Sequence, residues 1–178
     1  ELTRDIAQKF NLDFNAPDFF KVPDPLIQKN FARIMSLKDG TNKMSKSDPS
    51  DLSRINLTDS KDEIVNKIRK AKTDTQPLPN NEKDLANRPE AENLLGIYSS
   101  LSNQSLQNSI NEFSGKNFSE FKKNLTELVV EKITPISNEI NKLQKDNNFI
   151  DNILKTGGEK AEAIASKKVH EMKKIIGF

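Results

Sequence analysis

Two lysines three positions apart, in the run Lys43-Met44-Ser45-Lys46-Ser47, carry the clearest chemistry in this sequence. An ammonium group is a compact, mobile point charge with three donors, and serine hydroxyls and backbone N–H groups add more donors around it. Such a set suits an oxygen-rich anion, above all a polyphosphate. A solvated lysine-serine loop is the plain alternative, and it would hold for most lysine-rich chains. The spelling weighs against it, because this five-residue run is expected by chance in a chain of this composition at a frequency on the order of 10⁻³ or lower. Asp48 and Pro49 follow at once and read as an N-cap and a first helical position, where the missing proline N–H costs nothing. A helix start there would aim free N–H groups and a partial positive charge at a bound anion.

Something must hold that loop. Upstream, Phe31 to Leu37 places Ala32, Ile34, Met35 and Leu37 around Arg33 and Ser36, a pattern for a short buried strand or extended segment, and Lys38 to Asn42 is a turn. Before it, residues 1–12 set Leu2, Ile6, Ala7 and Phe10 at helical spacing, and Asn11 to Pro25 is an irregular connection whose Phe14, Phe19 and Phe20 serve burial rather than base stacking. Downstream, Ser60-Lys61-Asp62-Glu63 spells a capping box for a helix with Ile64, Val65, Ile68 and Ala71 inward and a basic face of Lys67, Arg69, Lys70 and Lys72. That face is a candidate contact for a phosphate backbone, with a solvated surface at least as good a reading. Thr73 to Pro89 lacks periodicity and reads as an exposed connection.

Helices dominate the remainder. One starts at Pro89 with Leu94, Ile97, Tyr98 and Leu101 inward; a second, capped by Ser102, carries Leu106, Ile110 and Phe113 and ends at Gly115. Phe118, Phe121, Leu125, Leu128, Val129 and Ile133 trace a third, which is expected to bend at Pro135 and continue through Ile136, Ile140 and Leu143. A short helix over Phe149 to Leu154 is expected to stop at Gly157-Gly158, and a last one to run through Ala161, Ile164, Ala165, Met172 and Ile175. All of these stripes read as core.

Composition narrows the classes. Of 178 residues, 34% are hydrophobic and 30% charged, so the apolar side chains must be gathered on narrow helix faces to make a core at all. A net charge of +2 makes any affinity for a polyanion local rather than global. With no cysteine and a single histidine, His170, thiolate zinc sites, disulfides and histidine metal clusters are excluded, and a reducing, cytoplasmic setting is compatible. There is no apolar run of membrane-spanning length and no signal peptide. The chain opens at Glu1, already in a helical pattern, and reads as a piece of a longer protein.

With the loop placed between a buried segment and a helical half, the sequence resembles the C-terminal part of bacterial-type tryptophanyl-tRNA synthetases. The matching stretches are Glu1-Leu2-Thr3-Arg4, Ala32-Arg33-Ile34-Met35-Ser36-Leu37, Lys43-Met44-Ser45-Lys46-Ser47-Asp48-Pro49 and Tyr98-Ser99-Ser100-Leu101-Ser102. The loop alone marks class I synthetases broadly; its continuation into Asp48-Pro49 and the run before it look like the tryptophan branch. The fold class implied is mainly α: residues 1–50 as the tail of a Rossmann-type catalytic domain, its last helix and strand, and 51–178 as a helical anticodon-binding domain. The implied activity is a ligase reaction in which tryptophan attacks the α-phosphorus of ATP and the acyl group then passes to tRNA(Trp). By the resemblance, Lys43 and Lys46 bind the β- and γ-phosphates and stabilise the leaving pyrophosphate, Ser45 and Ser47 add donors, and the backbone at Met44 and Ile34 flanks the adenine. Mg2+ accompanies the ATP, no metal ligand is expected in the chain, and the complete enzyme is expected to be a homodimer.

The family's upstream His-x-Gly-His signature has no counterpart here, so the chain alone is not expected to aminoacylate. Two alternatives stand beside this reading. A tyrosyl-tRNA synthetase shares the fold, and a stand-alone helical RNA-binding or regulatory module would keep the loop as a remnant.

Overall fold

The computed structural model describes residues 1–27 and 31–178, and they form two units: residues 1–27 with 146–178, and the segment up to Lys145. This division follows packing; the boundary near residue 50 expected from the sequence is one of role. Six α-helices are present among the described residues, with no strand beyond one isolated bridge.

The larger unit holds α2 (Lys61–Lys70), α3 (Pro89–Ser102), α4 (Leu106–Phe113) and α5 (Phe118–Leu143). Helix α2 begins as its sequence demands: the Ser60 hydroxyl accepts from the Glu63 N–H at 3.3 Å, and the Glu63 carboxylate accepts from the Ser60 N–H at 2.7 Å. At its other end Lys122 of α5 donates to the carbonyls of Arg69 and Ala71, at 3.1 and 2.6 Å, closing off backbone groups that the helix leaves open. Helix α4 is capped by Ser105, which accepts from Asn108 N–H at 3.2 Å, rather than by Ser102. Helix α5 runs unbroken through Pro135.

Ile64 and Ile68 of α2, Leu94 and Leu95 of α3, Ile110 and Phe113 of α4, and Phe121, Leu125 and Val129 of α5 make one core. Phe113, Phe121 and Tyr98 meet there at ring-centroid distances of 4.8 to 5.9 Å, with the Phe113 ring edge-on to both neighbours. Thr73 to Pro89 is more than an exposed connection. Leu78 and Leu85 are buried in the core, a 3₁₀ turn spans Glu82–Leu85, and Arg88 grips both Asp74 oxygens at 2.7 and 2.9 Å. Isolated leucines in a polar stretch carry no period, which is why the pattern hides them.

Tyr98 offers a direct check on this packing. Its hydroxyl donates to Glu112 at 3.0 Å, and burial together with that carboxylate pushes its pKa up to about 12. The proton is therefore held more tightly in the fold than in the unfolded chain. Its contribution is complete below about pH 10 and is lost as the pH climbs toward 12. Since Tyr98 is the single tyrosine and there is no tryptophan, near-ultraviolet phenolate absorbance reports it alone. Titration near pH 10 would show that the Glu112 contact is absent.

The smaller unit contains α1 (Leu2–Asp13) and α6 (Asn147–Ile176). Phe10, Phe14, Phe19 and Phe20 pack on one another at 4.7 to 5.3 Å, and Asn11 locks Phe20 by accepting from its N–H and donating to its carbonyl. Lys168 of α6 rests its ammonium 3.7 Å above the Phe19 ring. Two expectations change here. Gly157-Gly158 does not end a helix: α6 passes through both, each glycine costing about 1 kcal/mol relative to alanine but flanked by good helix formers. Nor is the α6 stripe core, since no residue of α6 is fully buried, and in α1 only Ala7 is.

Candidate phosphate-binding loop

The loop hangs from a short hairpin. Met44 N–H donates to the Ile34 carbonyl at 3.0 Å and Ser36 N–H to the Asn42 carbonyl at 2.8 Å, so 34–36 runs antiparallel to 42–44 with a bridge at Met35 and Lys43. The strand-like segment expected before the loop is thus extended but pairs only this briefly. Asp39 shapes the turn by accepting from Thr41 N–H at 3.0 Å, Thr41 Oγ1 at 2.7 Å and Asn42 Nδ2 at 2.6 Å, and these donors, Thr41 first, pull its carboxyl below the usual range. Gly40 is required by contact: a Cβ there would lie 2.5 Å from the Pro89 backbone at the start of α3.

The hairpin's other edge is filled by a side chain. Asn93 of α3, 2% exposed, accepts from Met35 N–H at 2.9 Å and donates to the Met35 carbonyl at 2.8 Å, standing in for a neighbouring strand. Leu37, buried, donates from its N–H to the Ser53 carbonyl and accepts from Lys72 N–H, at 2.8 and 2.7 Å.

Lys43, Lys46 and Ser47 are exposed, while Met44 and Ser45 are half-buried. Ser45 and Ser47 hydroxyls lie 3.0 Å apart and Ser47 N–H donates to Ser45 Oγ at 3.3 Å, which holds the two hydroxyls together. Among the described residues no carboxylate pairs with either loop lysine, so both ammonium groups face solvent ready for an anion. Ile34, expected beside the adenine, is 43% exposed, and its backbone carbonyl is bound to Met44. The predicted donor set is therefore gathered on one hairpin, across from the Asp39–Thr41 turn, and on the loop that leaves its second arm.

The helix start at Asp48-Pro49 is not there. Asp48 instead accepts from Ser50 N–H at 2.7 Å in a local turn, and only a 3₁₀ turn, Asp51–Ser53, follows before α2. Asp48-Pro49 therefore supplies no helix N-terminus to this loop. The basic face of α2 also changes membership. Lys67 is buried, its ammonium 2.6 Å from Asp59 and 2.7 Å from Asp51. Burial works against its charge, but the hydrogen bonds to Asp51 and Asp59 prevail and hold its pKa above the ordinary lysine value. The sequence held a signal: Lys67 sits three positions after Ile64 and four before Ala71, on the apolar side. Lys72 pairs with Glu90 at 2.8 Å, so of the four cations expected on the basic face only Arg69 and Lys70 are exposed without an acidic partner among the described residues.

A helical bundle carrying a short hairpin whose second arm runs out into a Lys-Met-Ser-Lys-Ser loop is a class I synthetase arrangement. The chain belongs to the family of class I tRNA synthetases for tryptophan and tyrosine, whose profile matches residues 1–134. It is 52% identical over all its residues to a tryptophan–tRNA ligase of Caulobacter vibrioides and 49% identical over 196 aligned positions to that of Agrobacterium fabrum. These alignments span 52% and 55% of those proteins, so the chain covers about half the length of the curated relatives it matches. Its fold matches the tryptophanyl-tRNA synthetase of Mycoplasma pneumoniae with a TM-score of 0.80 at 29% identity, over 99% of this chain and 52% of that one. The Campylobacter jejuni synthetase, solved as a complex with ADP and tryptophan, matches with a TM-score of 0.64 at 25% identity, over 98% of this chain and 52% of that one.

Among the described residues no helix is long and apolar enough to cross a membrane.

Proposed function

We propose that this chain is the C-terminal part of a tryptophan–tRNA ligase. In that reading residues 1–50 complete the catalytic domain and 51–178 carry the anticodon-binding helices. The reading rests on identity to tryptophan–tRNA ligases over the whole chain, 52% in the Caulobacter relative. A tryptophan carboxylate oxygen attacks the α-phosphorus of ATP, the bond from that phosphorus to the bridging oxygen breaks, and pyrophosphate leaves. The acyl group then passes from the adenylate to the 3′ end of tRNA(Trp). Lys43 and Lys46 bind the β- and γ-phosphates, Ser45 and Ser47 donate beside them, and the backbone at Ile34 and Met44 flanks the adenine. Two ammonium groups and two hydroxyls suit phosphate oxygens and not a metal ion, so Mg2+ arrives on the ATP, and no residue of this chain is assigned to it.

Closure of the loop makes the lysines effective. Opposite charges about 4 Å apart are worth ~1 kcal/mol in water and ~4 kcal/mol at an effective dielectric near 20. A loop that reaches the phosphates as negative charge gathers on the departing pyrophosphate stabilises the transition state more than the ground state. The complete enzyme would work in the cytoplasm as a homodimer.

The test is amino-acid-dependent ATP–pyrophosphate exchange. The complete enzyme is expected to exchange with tryptophan and not with tyrosine, and the 178-residue chain alone with neither. Exchange driven by tyrosine would move the protein to the other branch of the family, and exchange by the isolated chain would overturn the assignment of the missing half-site.

A further inference from the structure

The charged cluster behind the loop is not needed to bind ATP, yet it is built around the loop's downstream stem. Lys67 needs only one buried counter-charge, and Asp59, 5% exposed and 2.6 Å away, supplies it. Its second contact, at 2.7 Å, goes instead to Asp51, a residue more than half exposed that stands four positions beyond Ser47. Asp51 in turn holds Arg54 at 3.0 Å and Asn56 at 3.1 Å. Arg54 reaches back with Nη1 to the carbonyls of Asp48 and Ser50, at 3.0 and 3.4 Å. Asn56 also donates to Asp59 at 3.0 Å, so the two carboxylates share both Lys67 and Asn56. From α5, Ser137 donates to the Asp59 carbonyl at 3.0 Å, rooting the cluster in a second helix.

We propose that Lys67 and Asp51 form a positioning pair that fixes the downstream stem of the Lys43–Ser47 loop on α2, and so sets the approach of Lys46 to the leaving pyrophosphate. The inference rests on the ligase reading and deepens it. Neither residue touches substrate. Both act through the backbone of 48–51, while Asn93 on α3 fixes the upstream stem at Met35. With both stems anchored on buried side chains of one helical bundle, the tip is left as the part free to swing. Misplacing a charged donor by about 1 Å is enough to slow a reaction roughly a hundredfold.

Lys67→Met strands Asp59 without a counter-charge and compromises folding, so the informative change is Asp51→Asn. It keeps the shape of the side chain and the Lys67–Asp59 pair. In the complete enzyme it is expected to lower kcat for tryptophan-dependent exchange roughly ten- to a hundredfold, with the tryptophan KM and the thermal midpoint unchanged and partial rescue by Asp51→Glu. In the 178-residue chain the same change is expected to speed hydrogen exchange of the amides at 48, 50 and 53, bonded to Ser45, Asp48 and Ser50, at least severalfold, while those of α3 stay as they are. An unaltered kcat in a competent enzyme, or unaltered amide protection, overturns the pairing. A parent enzyme with no tryptophan-dependent exchange overturns the ligase reading and the reaction role together, and the amide measurement separates that result from a failure of the tether.

Discussion

Lys46→Ala in the complete enzyme is expected to slow tryptophan activation by roughly 10²- to 10³-fold, the usual loss for removing one preorganised donor from a developing anion. The tryptophan KM should hardly move, because the lysine meets the phosphates and not the amino acid. Stability should hardly move either, since Lys46 is exposed and makes no ion pair among the described residues. Lys43 and Lys46 are not equivalent: the backbone of Lys43 is held in the bridge to Met35, whereas Lys46 stands in the loop beyond the last paired residue, Met44. The larger dependence on loop closure therefore falls on Lys46. Single-turnover formation of the adenylate measures the effect. An activation rate within threefold of the parent would reduce the loop to a structural element.

Phe121→Ala is the change expected to harm the fold most, by about 3–5 kcal/mol, the range for deleting a buried aromatic ring. Phe121 has no exposed surface, and its ring lies 4.8 Å from Phe113 and 5.9 Å from Tyr98. Removing it opens a cavity where α3, α4 and α5 converge. A domain is typically stable by only about 5–15 kcal/mol, so a loss of that size is a large share of the whole. Urea denaturation of the 178-residue chain, followed by helical circular dichroism, reads the shift. Phe121→Leu should lose less than half as much. A loss below about 1 kcal/mol for the alanine variant would remove the α5 seam from the core.

Local grammar made most of the helices legible. The Ser60–Glu63 box, the proline at Pro89 and the stripe from Phe118 to Ile133 each carry their reason within a few residues, and the loop lysines announce themselves by type and spacing. The misreadings have two causes, local competition among neighbours and partners distant along the chain. Gly157-Gly158 looks like a stop because each glycine weakens a helix, but the residues on either side propagate it strongly enough to continue. Asp48-Pro49 has the letters of a cap, yet Asp48 is used by its own neighbour at Ser50. Lys67 reads as surface from its charge, and only Asp51 and Asp59, brought in from the preceding loop, make its burial tolerable. Asn93 has no local signal at all, because its partner is the backbone of Met35. The expectation that α6 buries its stripe fails because an apolar period shows only that a face could be buried, and no residue of α6 is fully buried among the described residues.

Asn93 has a consequence for the order in which the molecule is made. It lies 58 residues downstream of the backbone it completes. At about 5–20 residues per second of synthesis, the hairpin and its lysine loop, complete at Ser47, leave the ribosome roughly 2 to 9 s before the amide that pins them exists. During that interval Met35 is hydrogen-bonded to water and the loop has no fixed register. A nascent chain is therefore expected to acquire a defined phosphate-binding loop only once α3 has emerged, so that slowing translation between the two segments lengthens the life of a chain whose helix α2 is made but whose anion site is not.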